Sequence, residues 1–226
     1  MNNTKDIAVI LLAGGIGSRM KSKTPKQFLS INNKPIAQYS FDIFITLPNI
    51  SEIVVVCAPE FRHLFSLSNP KITLTFAMPG ERRQDSVFNG LNAIQKNVDY
   101  VCVHDSARPC INKELVQRVI DEARTHGAAT VGMPIKFTVK ESDHNNFVNN
   151  TPDRSRIWEI QTPQVIRFDW LHEGFQHTLK HNITVTDDVS VVELLKKPVK
   201  LVEGSYANIK ITTPEDLILS SHLINN

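Results

Sequence analysis

Apolar residues fall along the chain in two rhythms. Short unbroken runs, Ala8-Val9-Ile10-Leu11-Leu12, Ile53 to Ala58, Tyr100-Val101-Cys102-Val103 and Ala128 to Pro134, have the continuity of strands buried on both faces of a parallel sheet. Ile72 to Phe76 and Lys200-Leu201-Val202 are shorter pieces of the same kind. Between them the apolar positions recur at helical spacing. Ile36, Tyr39, Ile43 and Phe44 follow Pro35, and Val87, Leu91 and Ile94 share a face. Further helices are expected from about Lys113 to His126, over Phe168 to Leu179, and through Val189, Val192 and Leu195. A last one starts at Thr213-Pro214-Glu215-Asp216, with Thr as cap, Pro in first position and acids in the first turn. Strands alternating with helices predict an α/β fold: a mostly parallel sheet with helices on both faces.

One stretch breaks the alternation. Between Lys136 and Trp158 lie Phe137-Thr138-Val139-Lys140, a polar turn at Asp143 to Asn146, then Phe147-Val148, Asp153-Arg154 and Ile157-Trp158. Short extended pieces around an Asn-rich turn predict a projecting hairpin-like β-arm. It holds too few apolar residues for a core of its own and gains stability when a partner subunit clasps it. The polar Gln161-Thr162-Pro163-Gln164 reads as the connection back to the body. The expectation is one domain over 1–226, with 136–159 as a dimerisation arm.

Composition narrows the partners. A net charge of +2 over 226 residues is too slight to attract nucleic acid or a membrane surface, and no stretch is long and apolar enough to span a bilayer. Cys57, Cys102 and Cys110 are an odd number without a close pair, which argues against a disulfide framework or structural zinc. The N-terminal apolar run ends in glycines and not in a cleavage-site pattern, so a cytoplasmic protein is expected.

The candidate chemistry gathers where strands end. The first strand runs into Ala13-Gly14-Gly15-Ile16-Gly17-Ser18-Arg19, with Lys26 shortly after. Glycines let the backbone turn its N–H groups toward phosphate oxygens, and Arg19 and Lys26 add positive charge there. The loop is neither of two familiar phosphate binders: Met20 stands where a dinucleotide fingerprint wants a third Gly or Ala, and no Gly-Lys-Ser/Thr closes it. Gly80-Glu81-Arg82-Arg83-Gln84-Asp85-Ser86 opens a helix after another strand and can present backbone groups and Ser86 to a ligand, or serve only as a cap. Asp105 closes the strand Tyr100 to Val103 beyond His104, a good place to hold Mg²⁺ against phosphate; an ion pair with Arg108 is the plainer alternative. Thr186-Asp187-Asp188 reads as a helix cap. Lys210 lies in Asn208-Ile209-Lys210-Ile211, where a structural strand alone would not need a lysine. His177 and His181 share a helical spacing but lack the third ligand of a zinc site.

In this order the motifs resemble those of the 2-C-methyl-D-erythritol 4-phosphate cytidylyltransferases over nearly the whole chain. The matches are Ala13-Gly14-Gly15 with Gly17, Arg19-Met20 and Pro25-Lys26-Gln27; Arg83-Gln84-Asp85-Ser86-Val87; His104-Asp105 with Ala107-Arg108-Pro109; Asp153-Arg154; Gln161-Thr162-Pro163-Gln164; Thr186-Asp187; and Asn208 to Thr212. Phe137 and Arg82 depart from the family's more common Asp and Glu. The resemblance implies a Rossmann-like domain, CTP and Mg²⁺ as co-reactants, and a homodimer with interlocked arms. It implies catalytic roles for Arg19, Lys26 and Lys210. CTP would meet Ala13, Gly14, Gly15, Gly17, Gly80, Ser86 and Asp105, the last also serving the metal. The polyol phosphate would meet Ala107, Thr138, Arg154, Thr162 and Thr186, with Thr138 and Arg154 coming from the partner's arm.

A phosphate monoester oxygen is already largely ionised at neutral pH, so attack on the α-phosphorus of CTP needs no general base. Positioning and charge neutralisation would carry the reaction. The rival activity is ribitol-5-phosphate cytidylyltransferase, which uses most of the same motifs. A non-catalytic nucleotide-binding module and an NAD-dependent dehydrogenase are the readings of other classes; the retained Arg19, Lys26 and Lys210 weigh against the first and the incomplete glycine fingerprint against the second.

Overall fold

The computed structural model describes residues 6–15, 20, 24–67 and 69–225. In chain order the elements are β1 (Ile7–Leu12), β2 (Ser30–Ile31), β3 (Lys34–Pro35), α1 (Ile36–Phe44), β4 (Ile50–Val56), β5 (Thr73–Ala77), α2 (Arg83–Asn92), β6 (Tyr100–Asp105) and α3 (Lys113–His126). There follow β7 (Ala128–Pro134), β8 (Glu141–Ser142), β9 (Val148–Asn150), β10 (Trp158–Arg167), α4 (Phe168–His181), α5 (Ser190–Leu194), β11 (Lys200–Glu203) and α6 (Pro214–Asn225). Seven strands form one sheet in the order β11-β7-β10-β6-β1-β4-β5. All pair in parallel except β10, which runs antiparallel to both β6 and β7.

The continuous apolar runs are explained by two cores, one on each face. Val9, Leu11, Ile53 and Val55 point to a core closed by Phe41 and Phe44 of α1 and by Leu115, Val119 and Ile120 of α3. Ile10, Val54 and Val56 alternate to the opposite core, closed by Val87 and Leu91 of α2, Leu171 and Phe175 of α4, and Val191 and Val192 of α5. A strand buried on both faces has no polar position to spare, so the period-two signal vanishes from the sequence. The helix α3 shows its cap plainly: Asn112 accepts from the Leu115 N–H at 2.8 Å. Asn32 and Asn33, both at positive φ, make the two-residue turn between β2 and β3.

Two elements differ from the sequence reading. The strand read from Ile53 begins at Ile50 and carries Glu52 fully buried, its carboxylate accepting from the N–H groups of Gln95 and Lys96 and from the Thr75 hydroxyl at 2.9–3.0 Å. A charged residue that looks like a strand boundary instead fastens the end of α2 to the sheet. The Gln161-Thr162-Pro163-Gln164 connection lies inside β10, in the middle of the sheet. Its register against β7 shifts between Ile160 and Gln164, so the proline occupies an irregularity in the ladder.

The stretch from Lys136 leaves the body as β8 and β9, paired around the turn at Asp143 to Asn146. Residues 141–151 are all exposed, and Phe137 (78 %), Phe147 (71 %) and Val148 (62 %) turn their apolar surface to solvent. Among the described residues no helix is long and apolar enough to cross a membrane.

Candidate active site

The first part of the site is the loop after β1. Ala13 continues the strand by donating to the Val56 carbonyl at 2.9 Å, and the chain then passes against Pro79. A Cβ on Gly14 would lie 2.6 Å from two Pro79 side-chain atoms, so only glycine fits. Gly15 is exposed, and a Cβ there would meet nothing within 4 Å. Packing thus demands the first glycine, and the second leaves a backbone open to a ligand. Buried Gln27 holds the loop from beneath, its amide donating to the Ala13 and Gly15 carbonyls at 2.7 and 2.9 Å. This anchors half-buried Lys26, one residue earlier, beside the loop. Gly17 and Arg19 lie outside the described residues.

The second part is the start of α2. Gly80 donates its N–H to the Ser86 hydroxyl at 3.0 Å, and that hydroxyl reaches the Arg82 carbonyl at 3.3 Å. A Cβ on Gly80 would fall 2.4 Å from the Asp85 Cβ. Arg82 grips Asp85 through its side chain at 2.8–2.9 Å and through its backbone N–H at 3.0 Å. Arg82, which departs from the family pattern, stands at the N-cap position of this helix, where the Asp85 carboxylate accepts from its backbone N–H. Gly80 and Ser86 are held together in one tight turn.

A network of charge starts from Arg83, the first residue of α2, and joins it to the end of β6 and to Lys210. Asp105, 7 % exposed, accepts from Arg83 Nε at 3.0 Å on one oxygen and from Lys210 Nζ at 2.6 Å on the other. The fork of Arg83 closes on Asp188, whose two oxygens accept at 2.8 Å. Burial alone would raise the pKa of Asp105, but the charges of Arg83 and then Lys210 hold it well below the usual carboxylate range. Fully buried Asp188 is pushed up by desolvation, with Arg83 opposing. The Asp105–Arg108 ion pair weighed from sequence does not form: Arg108 instead donates to the Asn208 carbonyl at 2.6 Å.

Below Asp105 lies a chain of three hydrogen bonds. Its N–H donates to the Thr162 hydroxyl at 3.1 Å, that oxygen lies 3.1 Å from Nδ1 of His104, and Nε2 of His104 lies 3.1 Å from the Arg108 carbonyl. His104 is fully buried, edge-on to Phe44, and burial pushes its pKa down to about 4.

A cavity of about 600 Å³ opens over this network at the carboxyl edge of the sheet, lined by Arg83, Asp105, Thr162, Gln164, Thr186 and Lys210 among others. Ala107 is buried beside it, and its carbonyl accepts from the Ile211 N–H at 2.9 Å, bracing the segment that carries Lys210. Thr138 and Arg154 are not brought to this cavity. Both are exposed on the arm, where Arg154 reaches only the Lys136 carbonyl at 3.4 Å.

Three residues of the network carry no role in the sequence reading. Arg83 stood inside a quoted motif, and Asp188 and Gln164 read as cap and connection. Gln164 accepts from the N–H groups of Asp188 and Val189 at 2.9 Å and donates to Asp187 at 3.1 Å, shaping the turn that presents Thr186. Two adjacent arginines after a glycine were the available signal for Arg83.

Among the described residues no three His, Cys, Asp or Glu side chains converge as metal ligands, and His177 and His181 of α4 gain no third partner. Asp105, at the cavity edge, would give a magnesium ion that arrives with a polyphosphate one protein ligand while most of its waters stay, the usual way that ion is bound.

A glycine loop, lysines and a carboxylate held between cations, at the edge of a mostly parallel sheet, are the equipment of a nucleotidyltransferase, whose work is to position and neutralise phosphates. The family model described as IspD, 2-C-methyl-D-erythritol 4-phosphate cytidylyltransferase, matches residues 7–226, and the chain belongs to that family. It is 48 % identical over 223 residues to the chloroplastic 2-C-methyl-D-erythritol 4-phosphate cytidylyltransferase of Oryza sativa, covering 98 % of this chain and 75 % of the relative. Its fold matches 4-diphosphocytidyl-2C-methyl-D-erythritol synthase from Anaerococcus prevotii with a TM-score of 0.87 at 27 % identity, over 99 % of this chain and 100 % of that one. The 2-C-methyl-D-erythritol 4-phosphate cytidylyltransferase of Francisella tularensis matches at 0.81 and 33 % identity, over 96 % and 99 %. The fold is thus the Rossmann-like one of these enzymes.

Proposed function

We propose that the cavity over Asp105 is where this chain joins the cytidylyl group of CTP to 2-C-methyl-D-erythritol 4-phosphate, releasing pyrophosphate. A monoester oxygen of the polyol phosphate attacks the α-phosphorus of CTP; the new P–O bond forms as the bond to the pyrophosphate oxygen breaks. The observation that carries this reading is Asp105 pinned between Arg83 and Lys210 at the edge that also carries the glycine loop. In it Lys26 and Arg19 take the triphosphate, and Gly14, Gly15, Gly80 and the turn at Ser86 receive the nucleotide. Lys210 and Thr186 face the polyol phosphate. Asp105 is the residue that would hold Mg²⁺, which supplies charge neutralisation on the phosphates when bound.

The reading includes a homodimer acting in the cytoplasm. The support is the arm: Arg154 and Thr138 stand on it away from their own cavity, and its three exposed apolar side chains need a cover. A second copy supplies that cover and brings Arg154 and Thr138 over the partner's site, so 136–159 is a dimerisation arm on a single domain.

The test offers CTP and Mg²⁺ with either 2-C-methyl-D-erythritol 4-phosphate or ribitol 5-phosphate. Pyrophosphate and the cytidine diphosphate adduct should form with the first. Faster turnover of ribitol 5-phosphate would overturn the substrate assignment, and no pyrophosphate with either would leave a nucleotide-binding module.

A further inference from the structure

We infer that Phe61, from the short helical turn Pro59–Leu64 after β4, is a positioning residue that sets Lys26 by way of Phe28. The inference rests on the proposed function for its kinetic consequence, but its structural half does not.

Lys26 opens a helical turn of three residues, Lys26–Phe28, in which Phe28 N–H donates to the Pro25 carbonyl at 2.9 Å and Leu29 N–H to the Lys26 carbonyl at 3.1 Å. Two hydrogen bonds do not offset the entropy of fixing so short a turn, so it must be held from outside. Two neighbouring side chains do this. Gln27 fastens the turn to the Ala13 and Gly15 carbonyls. Buried Phe28 lies face to face with Phe61, with ring centroids 3.9 Å apart and planes within 11° of parallel.

The Phe61 ring is itself fixed to the body. Its N–H donates to the Ala58 carbonyl at 3.1 Å, the Leu64 carbonyl accepts from the Gln38 amide of α1 at 2.6 Å, and Phe65 meets Phe41 of α1 edge-on at 5.2 Å. Phe61 is thus a wall braced by β4 and α1. Covering the core would ask only for an apolar side chain at this position, whereas a stacked pair fixes a plane as well as a distance. Gln27 sets how far the turn stands from the glycine loop, and the stack on Phe61 stops it from rotating about that tether. A group that must meet charge as it develops depends on such restraint, since a shift of about 1 Å can cost a hundredfold in rate.

Two measurements test this. Phe61→Leu keeps an apolar side chain and removes the stack. In ligand-free protein the amide hydrogens of Phe28 and Leu29 should exchange about three- to tenfold faster in this variant, the worth of one aromatic pair, while those of Val9 and Leu11 in β1 keep their wild-type rates. Unchanged exchange at Phe28 and Leu29 would end the proposal whatever the enzyme turns over. In the second measurement, Phe61→Leu should lower kcat about ten- to a hundredfold with KM for the polyol phosphate within about twofold, and Phe61→Tyr, which keeps the ring, should recover most of the loss. Added to Lys26→Ala, Phe61→Leu should cost almost nothing further, because the lysine it positions is already gone. If it lowers the remaining activity of Lys26→Ala by the same factor as it lowers wild type, Phe61 is merely structural and the positioning role is overturned. Wild-type turnover in Lys26→Ala itself would instead remove the assignment of Lys26, and the exchange rates would still decide whether Phe61 holds the turn.

Discussion

The cavity floor and the arm are built from the same kinds of residue and treat them in opposite ways. On the floor the central charges are paired within the chain: Arg83 is shared between Asp105 and Asp188, Lys210 reaches Asp105, and Asp105 N–H has Thr162. On the arm Arg154 makes one long contact to a neighbouring carbonyl, and Phe137, Phe147 and Val148 lie open. The floor pairs its central charges within one chain, whereas the arm leaves Arg154 and three apolar side chains exposed, the surface that the proposed dimer would cover. Preorganised dipoles and charges are what phosphoryl transfer asks of its floor, since groups already in place need no reorganisation during reaction. A residue delivered by a partner can stay mobile until assembly.

The contrast should show first in stability. Arg83→Ala strands Asp188 in the interior with no counter-charge, so a denaturant melt should show a loss of about 3–5 kcal/mol. Arg154→Ala should melt within about 0.5 kcal/mol of wild type, as exposed substitutions do. Equal stability of the two variants would erase the distinction between floor and arm.

Next in size is an effect on rate alone. Lys26→Ala should reduce kcat about a hundred- to a thousandfold with an unchanged melt, because its charge is asked to act in the transition state beside a loop that Gln27 already holds. Turnover near wild type in the folded variant would remove Lys26 from the chemistry.

The smallest effect belongs to the arm's apolar surface. Phe147→Ser should weaken dimerisation about tenfold or more, the worth of roughly one buried aromatic side chain, while the isolated chain melts as before. Sedimentation at falling concentration reads this directly, and an unchanged dissociation constant would show that Phe147 is not covered by the partner.

Much of the body was legible from the chain because its signals are local. The glycine loop follows β1, and β7 and α3 begin and end where the apolar pattern says. What stayed hidden depends on distant pairing. Gln161 to Gln164 reads as a loop because it is polar and holds a proline, yet it is inserted between β6 and β7, where the Thr162 hydroxyl takes up the Asp105 N–H and Gln164 holds the turn at Asp188. Arg83 and Asp188 are 105 residues apart, and no periodicity links them. Glu52 looked like an edge because its backbone partners, Gln95 and Lys96, lie in the segment just beyond α2.

The central claim, that a floor in one chain works with an arm from another, is tested most directly by mixing two inactive proteins. Lys26→Ala damages the floor of its own chain, and Arg154→Ala damages the site its arm reaches. In a mixed dimer both lesions fall on one site, and the other is whole. Equal amounts unfolded and refolded together give about half mixed dimers with one working site of two, so activity should return to roughly a quarter of wild type. Labelled chains must show that exchange took place. Activity that stays at the level of the separate variants, with exchange demonstrated, would mean that Arg154 serves its own chain and that the arm does not complete the partner's site.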